Sequence, residues 1–316
     1  THAQDYFGKQ RKKPSRFLYE LGLVGPETAA KKESSVKSGD WQEQKIRTVD
    51  RKKVSYVLPD SFSFSSISSY LKCPLEYKYR YLLKIPAPSN AYLSFGSSMH
   101  KALESFMKLW KARLSSQQLG LFGSGEKSKS KVQFPSLKEL EHIYEEKWID
   151  DWYSSKSERE QFKKRGLEQL KTFYEVSEKE SPKPKYLEQF FKLKLGNYKF
   201  VGKIDRIDEG SGGVTILDYK TGENPPKSLG KVDFDQLLIY QIAAEEFLQE
   251  KVIQSAYWYL NKNVMTEPFL GGFEEIEKLK TRYLEVIKDI IESVKTDNFA
   301  SIHKDGGHDC QYKSLI

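Results

Sequence analysis

Two glycine-rich turns, Gly196-Asn197 and Gly210-Ser211-Gly212-Gly213, cut residues 192–218 into alternating segments, and this punctuation restricts the fold more than any other feature. A two-residue Gly-Asn connection between alternating segments signals a hairpin. Lys192–Leu195 and Tyr198–Ile207 should therefore pair antiparallel. The second turn returns the chain into Val214-Thr215-Ile216-Leu217-Asp218, whose β-branched residues suit a buried strand. Successive strand side chains point to opposite faces. Asp218 and Lys220 thus share one face, Leu217 and Tyr219 the other, and Asp205 can face Asp218 across one ladder. Two carboxylates converging at a strand edge suit a hard divalent cation, which takes oxygen ligands. An ammonium beside them can orient an attacking water or stabilise charge building on a phosphate.

Helices are expected at 96–113 and 136–178, separated by a Gly/Ser/Lys-rich loop at 120–131. Beyond the strands, Phe234–Glu250 reads as helix and Ile253–Leu260 alternates like a strand. Glu274–Val294 carries helical apolar spacing at Ile276, Leu279, Tyr283, Leu284, Ile287 and Ile291. Runs of helices around these strands predict an α/β fold: a mixed β-sheet core flanked by helices, with additional helical segments on its N-terminal side.

The 316 residues carry a net charge of +8, a pI near 9.0 and a mean hydropathy of −0.66. The basic balance favours a polyanionic partner, although a solvated Lys-rich surface gives the same sum. No apolar run reaches membrane-spanning length, so no membrane partner and a cytoplasmic location are expected. Some of the 19 Tyr and 18 Phe residues could stack on bases, but most should be core.

The motifs together resemble the PD-(D/E)XK nuclease superfamily, specifically its RecB-like branch, across about residues 60–316. Asp205 matches the first acid, with Ile204 where the name-giving proline would stand, and Asp218 and Lys220 match the (D/E)XK pair. Phe95-Gly96-Ser97-Ser98-Met99-His100-Lys101-Ala102-Leu103-Glu104 resembles the branch's helix with a metal-ligating histidine, which assigns His100. Asp235-Gln236-Leu237-Leu238-Ile239-Tyr240 resembles its Gln-x3-Tyr helix, and Gln236 and Tyr240 share one helical face. Ser66-Ile67-Ser68-Ser69-Tyr70-Leu71-Lys72-Cys73-Pro74 resembles the segment that opens the same domain. The resemblance implies a restriction-endonuclease-like fold and Mg²⁺ or Mn²⁺ held by Asp205, Asp218, the Tyr219 backbone carbonyl and His100. Lys220 would assist hydrolysis, with Gln236 and Tyr240 orienting it or touching the nucleic acid.

Other candidates stay open. Glu188 stands where related nucleases often carry another acid, and reads equally as a solvated strand residue. Glu104, one turn after His100, extends that polar face or joins the ligands. Asp208 and Arg206 fall off the Asp205 face and read as structural. Many relatives hold an iron–sulfur cluster, for which Cys73 and Cys310 match two ligands. Gly307 and Ile316 occupy the other two positions, so no cluster is expected. A zinc site from Cys73, Cys310, His303 and His308 is the alternative, and packing as two small hydrophobes is preferred.

Residues 1–57 are polar and charged without sustained apolar period and read as a partly disordered linker or tail, with the nuclease domain at 58–316. Within the tail, Thr1-His2-Ala3-Gln4 and Lys13–Leu21 resemble the stretch after the last helicase motif of UvrD/Rep-type helicases. That implies helicase domains of the same parent chain as a partner beside DNA. No GxxxxGK[ST] loop is present, so ATP hydrolysis is not expected of these residues. The expected activity is a metal-dependent DNA nuclease, an exonuclease on single strands serving repair or recombination. The alternative is an inactive nuclease-like module that guides DNA from the helicase.

Overall fold

Gly196 and Gly212 turn the chain with φ of +58° and +87°, values that strain a residue with a side chain but not glycine. The computed structural model describes residues 56–86, 90–120, 132–222, 225, 233–299 and 312, all within the unit Lys52–Ile316. The elements begin with β1 (Ser61–Phe62), α1 (Phe64–Lys72) and α2 (Pro74–Tyr77), followed by a π turn. Three longer helices come next, α3 (Ala91–Gly120), α4 (Leu137–Lys147) and α5 (Lys156–Glu180). The central strands are β2 (Pro184–Leu195), β3 (Tyr198–Gly210) and β4 (Gly213–Lys220). Finally come α6 (Asp235–Ile242), β5 (Val252–Tyr259), β6 (Val264–Met265) and α7 (Phe273–Thr296).

The sheet is mixed. β2 and β3 pair antiparallel from Leu195↔Tyr198 to Pro184↔Asp208, and β3 meets β4 antiparallel from Gly210↔Gly213 to Arg206↔Leu217. β4 runs parallel to β5, a geometry that needs a crossover, and α6 lies within that crossover. β1 adds in parallel at Lys199 and Phe200, and β6 closes the far edge antiparallel.

Each sheet face buries its own core. On one face Phe191, Leu193, Ile216, Tyr257 and Tyr259 pack with α6 and with the α7 stripe of Leu279, Tyr283, Ile287 and Ile290. On the other, Tyr219 and Trp258 pack with Phe95, Met99 and Leu103 of α3 and Phe173 of α5. Trp258, 1% exposed, contributes several kcal/mol here, since truncating such a residue costs about 3–5 kcal/mol. The result is the expected sheet between helical layers.

Two expectations are corrected. The helix expected over 136–178 is two helices, because each start has its own serine cap. Ser136 Oγ accepts the Glu139 N–H at 3.3 Å, and Ser155 Oγ accepts the Glu158 N–H at 3.1 Å. Between them Trp148 stacks on Tyr153 at 5.3 Å, and Gly166 lets α5 close on Tyr144, whose hydroxyl a Cβ there would meet at 2.1 Å. The helix expected over 234–250 keeps α geometry only to Ile242 and continues as a π turn through Phe247.

Cys73 is buried beside Tyr312 and caps α2, its Sγ accepting the Glu76 N–H at 3.4 Å. Cys310, His303, His308, Gly307 and Ile316 lie outside the described residues, as do the tail through residue 55 and residues 121–131 of the loop expected at 120–131, whose first residue ends α3. Among the described residues, no helix is long and apolar enough to cross a membrane.

Candidate active site

The β3–β4 ladder stops one step before it would pair Asp205 with Asp218. Instead Asp205 Oδ2 accepts the backbone N–H of Tyr219 at 2.8 Å. The acids are neighbours rather than ladder partners, because a side chain has taken the place of the next main-chain bond.

Strand alternation inverts at the same level. Along β2, Phe191, Leu193 and Leu195 face the first core, yet Leu187, of the same parity, packs against the second while Tyr186 packs against the first. Along β3, Phe200 and Ile204 face the first core, and so does Ile207, of opposite parity. The ladder register with β3 slips only between Pro184 and Tyr186, and the change of facing in β2 spans Glu188, whose φ of +47° is left-handed. A residue bearing a side chain there stores about 1–3 kcal/mol of strain.

The kink turns Glu188 toward Asp205 and His100. His100, on α3, places Nδ1 3.5 Å from Asp205 Oδ1 and 3.7 Å from Glu188 Oε1. Glu188 Oε2 also lies 2.9 Å from Lys203 Nζ. Burial alone would lower the His100 pKa, but the Asp205 and Glu188 carboxylates raise it to about 10. Burial would raise the Glu188 carboxyl, and hydrogen bonds to His100 and Lys203 outweigh it and lower it. His100, Glu188 and Asp205 bring ligand-type atoms within 4.8 Å of one another, so Glu188 joins the acids here.

Asp218, 3% exposed, sits beside this cluster. Burial and the Asp205 charge raise its carboxyl from 3.8 to about 6, with Lys220 opposing. Lys220 Nζ is 2.8 Å from the buried Asp218 Oδ2, an ion pair. A buried carboxylate next to two further carboxylates and an imidazole fits a hard divalent cation. Lys220 Nζ also donates to Gln236 Oε1 at 2.8 Å and lies 4.7 Å from the Tyr257 ring centroid. Gln236 Nε2 in turn donates to the Tyr240 hydroxyl at 2.8 Å. Burial, reinforced by the Asp218 and Asp205 charges, pushes that hydroxyl well above its usual pKa.

On the opposite face, Arg206 is 1% exposed, its Nε donating to Asp208 Oδ1 at 2.8 Å and its Nη1 to the Tyr219 hydroxyl at 3.0 Å. Arg206 and Asp208 therefore lie off the Asp205 face, as alternation predicted, and only the backbone of Tyr219 is available to the site.

A cleft of about 510 Å³ opens over these groups, walled by His100, Asp205, Asp218, Lys220, Gln236 and Tyr240. With Tyr219, which also lines it, all seven residues predicted from the sequence meet there, from four separate elements. Glu104 is 2.6 Å from Lys108 and lines a neighbouring cleft. Glu188 is the residue that sequence reasoning left undecided; its acid type opposite Asp205 in register was the available signal.

Residues 61–315 match the family model of the PD-(D/E)XK nuclease superfamily. Over 195 residues the chain is 25% identical to the Gene 69 protein of Mycobacterium phage D29, covering 57% of this chain and 67% of that protein. The crystal structure of SSO0001 aligns at a TM-score of 0.34 and 11% identity, over 81% of this chain and 85% of that one, too loose a likeness to add to the family match.

Proposed function

The chain belongs to the PD-(D/E)XK nuclease superfamily, and from that membership we propose that it hydrolyses DNA phosphodiesters with Mg²⁺ or Mn²⁺, as an exonuclease on single strands. The observation that carries this reading is the meeting of two carboxylates, an imidazole and a fixed ammonium in one cleft. His100, Asp205 and Asp218, with Glu188 and the Tyr219 carbonyl, are the groups that would hold the cation. When bound, it would polarise the phosphate and offset transition-state charge.

The remaining steps belong to side chains. Asp218 and Gln236 fix the Lys220 ammonium from two sides, so it can position the attacking water and stabilise charge on the phosphate without reorganising. Tyr240 holds Gln236 in place. Immobilising these groups lowers the entropic part of the barrier.

The +8 charge supports DNA as partner, bound through phosphates and hence salt-sensitively, and no base-reading motif is evident in the sequence. The likeness of Thr1–Gln4 and Lys13–Leu21 to UvrD/Rep-type segments supports a parent protein whose helicase domains deliver a strand to this cleft, in cytoplasmic repair or recombination. The testing experiment is incubation with end-labelled single- and double-stranded DNA, with and without Mn²⁺. Metal-dependent cutting with release of short products from single strands is expected.

A further inference from the structure

Tyr92 lies in the first turn of α3, which Asn90 caps by accepting the Leu93 N–H at 3.1 Å. It is 60% exposed, although its ring is held from one side by Phe162, edge-on at 5.1 Å. Its place is unusual: it lines both the cleft over Asp205 and a second of about 540 Å³, which also includes His100 and Thr221. The two clefts share Tyr92, His100 and Thr221, so they adjoin as one trough at these residues. The second cleft carries Lys101 and Lys203, both exposed, and Lys203 pairs in the β2–β3 ladder with Phe190, itself 55% exposed.

A largely exposed aromatic ring braced by a neighbour, lining the same clefts as the reacting groups and two lysines, is the kind of platform on which single-stranded bases stack. Bases inside a duplex are already stacked and paired and offer no free face. We propose that Tyr92 is a base-stacking post that seats a single strand in the trough, with Lys101 and Lys203 meeting its phosphates, and so discriminates single-stranded from duplex DNA. This rests on the nuclease reading above for its substrate but not for its measurement.

The test is fluorescence anisotropy in EDTA with a labelled oligo(dT) of about 12 nucleotides, within the site sizes typical of single-strand grooves. The same length carrying abasic sites and a duplex serve as controls. Tyr92→Ala and Tyr92→Leu, the latter keeping an apolar contact for Phe162, should weaken oligo(dT) binding about 5- to 150-fold, as expected for one stacked base. Both should bind the abasic strand and the duplex as wild type does, and Tyr92→Phe should retain full affinity. Unchanged oligo(dT) affinity in Tyr92→Leu, an equal loss on the abasic strand, or no single-strand binding by wild type would each overturn the proposal. A protein that shows this pattern but cuts nothing in Mn²⁺ would sink the nuclease reading alone. One that cuts while Tyr92→Leu binds normally would sink the stacking post alone.

Discussion

Asp205 Oδ2 accepts the backbone N–H of Tyr219 at 2.8 Å, so one candidate ligand is tied to the main chain of the strand that carries the other. The same residue ties the site to the fold beneath it, since the Tyr219 hydroxyl accepts from buried Arg206. Along β3 the site carboxylate of Asp205 and the buried Arg206–Asp208 pair thus take opposite faces of the sheet.

Arg206→Met removes the partner of Asp208 and of the Tyr219 hydroxyl and leaves a carboxylate buried. Urea unfolding should show a loss of about 3–5 kcal/mol. Adding Asp208→Leu should restore much of it, because the orphaned charge is gone. A single substitution costing under about 1 kcal/mol would contradict the pairing described here.

The pH dependence of metal-free protein follows from Asp218. Its folded carboxyl titrates at about 6 against 3.8 ordinarily, so the folded state holds the proton more tightly than the unfolded one. Stability therefore falls as pH rises from about 4 to about 6, and the penalty is constant above that window. Asn mimics the protonated carboxyl. Asp218→Asn should flatten this limb and raise Tm at pH 7 by roughly 2–6 °C in EDTA. His100, raised to about 10, adds stability in wild type that is full below about 6.5 and lost toward pH 10. Identical melting profiles for the two between pH 4 and 7 would contradict the burial argument.

Tyr240→Phe keeps the ring that packs 6.1 Å from Phe191 and deletes the hydroxyl that holds Gln236. Cleavage should fall roughly 10- to 100-fold through misplacement of Lys220, with Tm nearly unchanged. A large Tm drop with unaltered specific activity of the folded fraction would make Tyr240 a packing residue only.

Glu188→Gly tests whether the strained acid serves the site, since glycine adopts a φ of +47° readily and removes the carboxylate. Mn²⁺ affinity by calorimetry should fall about 10- to 100-fold, as for other ligand or supporting groups, while urea stability holds or rises. Unchanged affinity would remove Glu188 from the cluster.

Most of the framework was legible because it obeys simple periods. Alternation set Asp218 and Lys220 on one face and Tyr219 on the other, and the α7 stripe followed helical spacing. Glu188 was legible only as an open candidate, because its left-handed backbone departs from the regular alternation by which a strand side chain is assigned to a face. β2 begins at Pro184, four residues before Glu188, where the strand was expected to start. The break between α4 and α5 was written in Ser155 and Glu158, a capping pair, but apolar residues such as Trp148 and Tyr153 run across it. His100 came only from family resemblance, since no local period relates a residue on α3 to strands a hundred residues later.

The most direct test of the central claim is cleavage of end-labelled single-stranded DNA in Mn²⁺ by wild type, Asp205→Ala, Asp218→Ala and Lys220→Ala, with Mn²⁺ binding measured on the same preparations. Wild type should cut. Both aspartate variants should lose cleavage and weaken Mn²⁺ binding, while Lys220→Ala should lose most cleavage and still bind Mn²⁺. Near-wild-type cutting by either aspartate variant, or metal-independent cutting by wild type, would contradict the account.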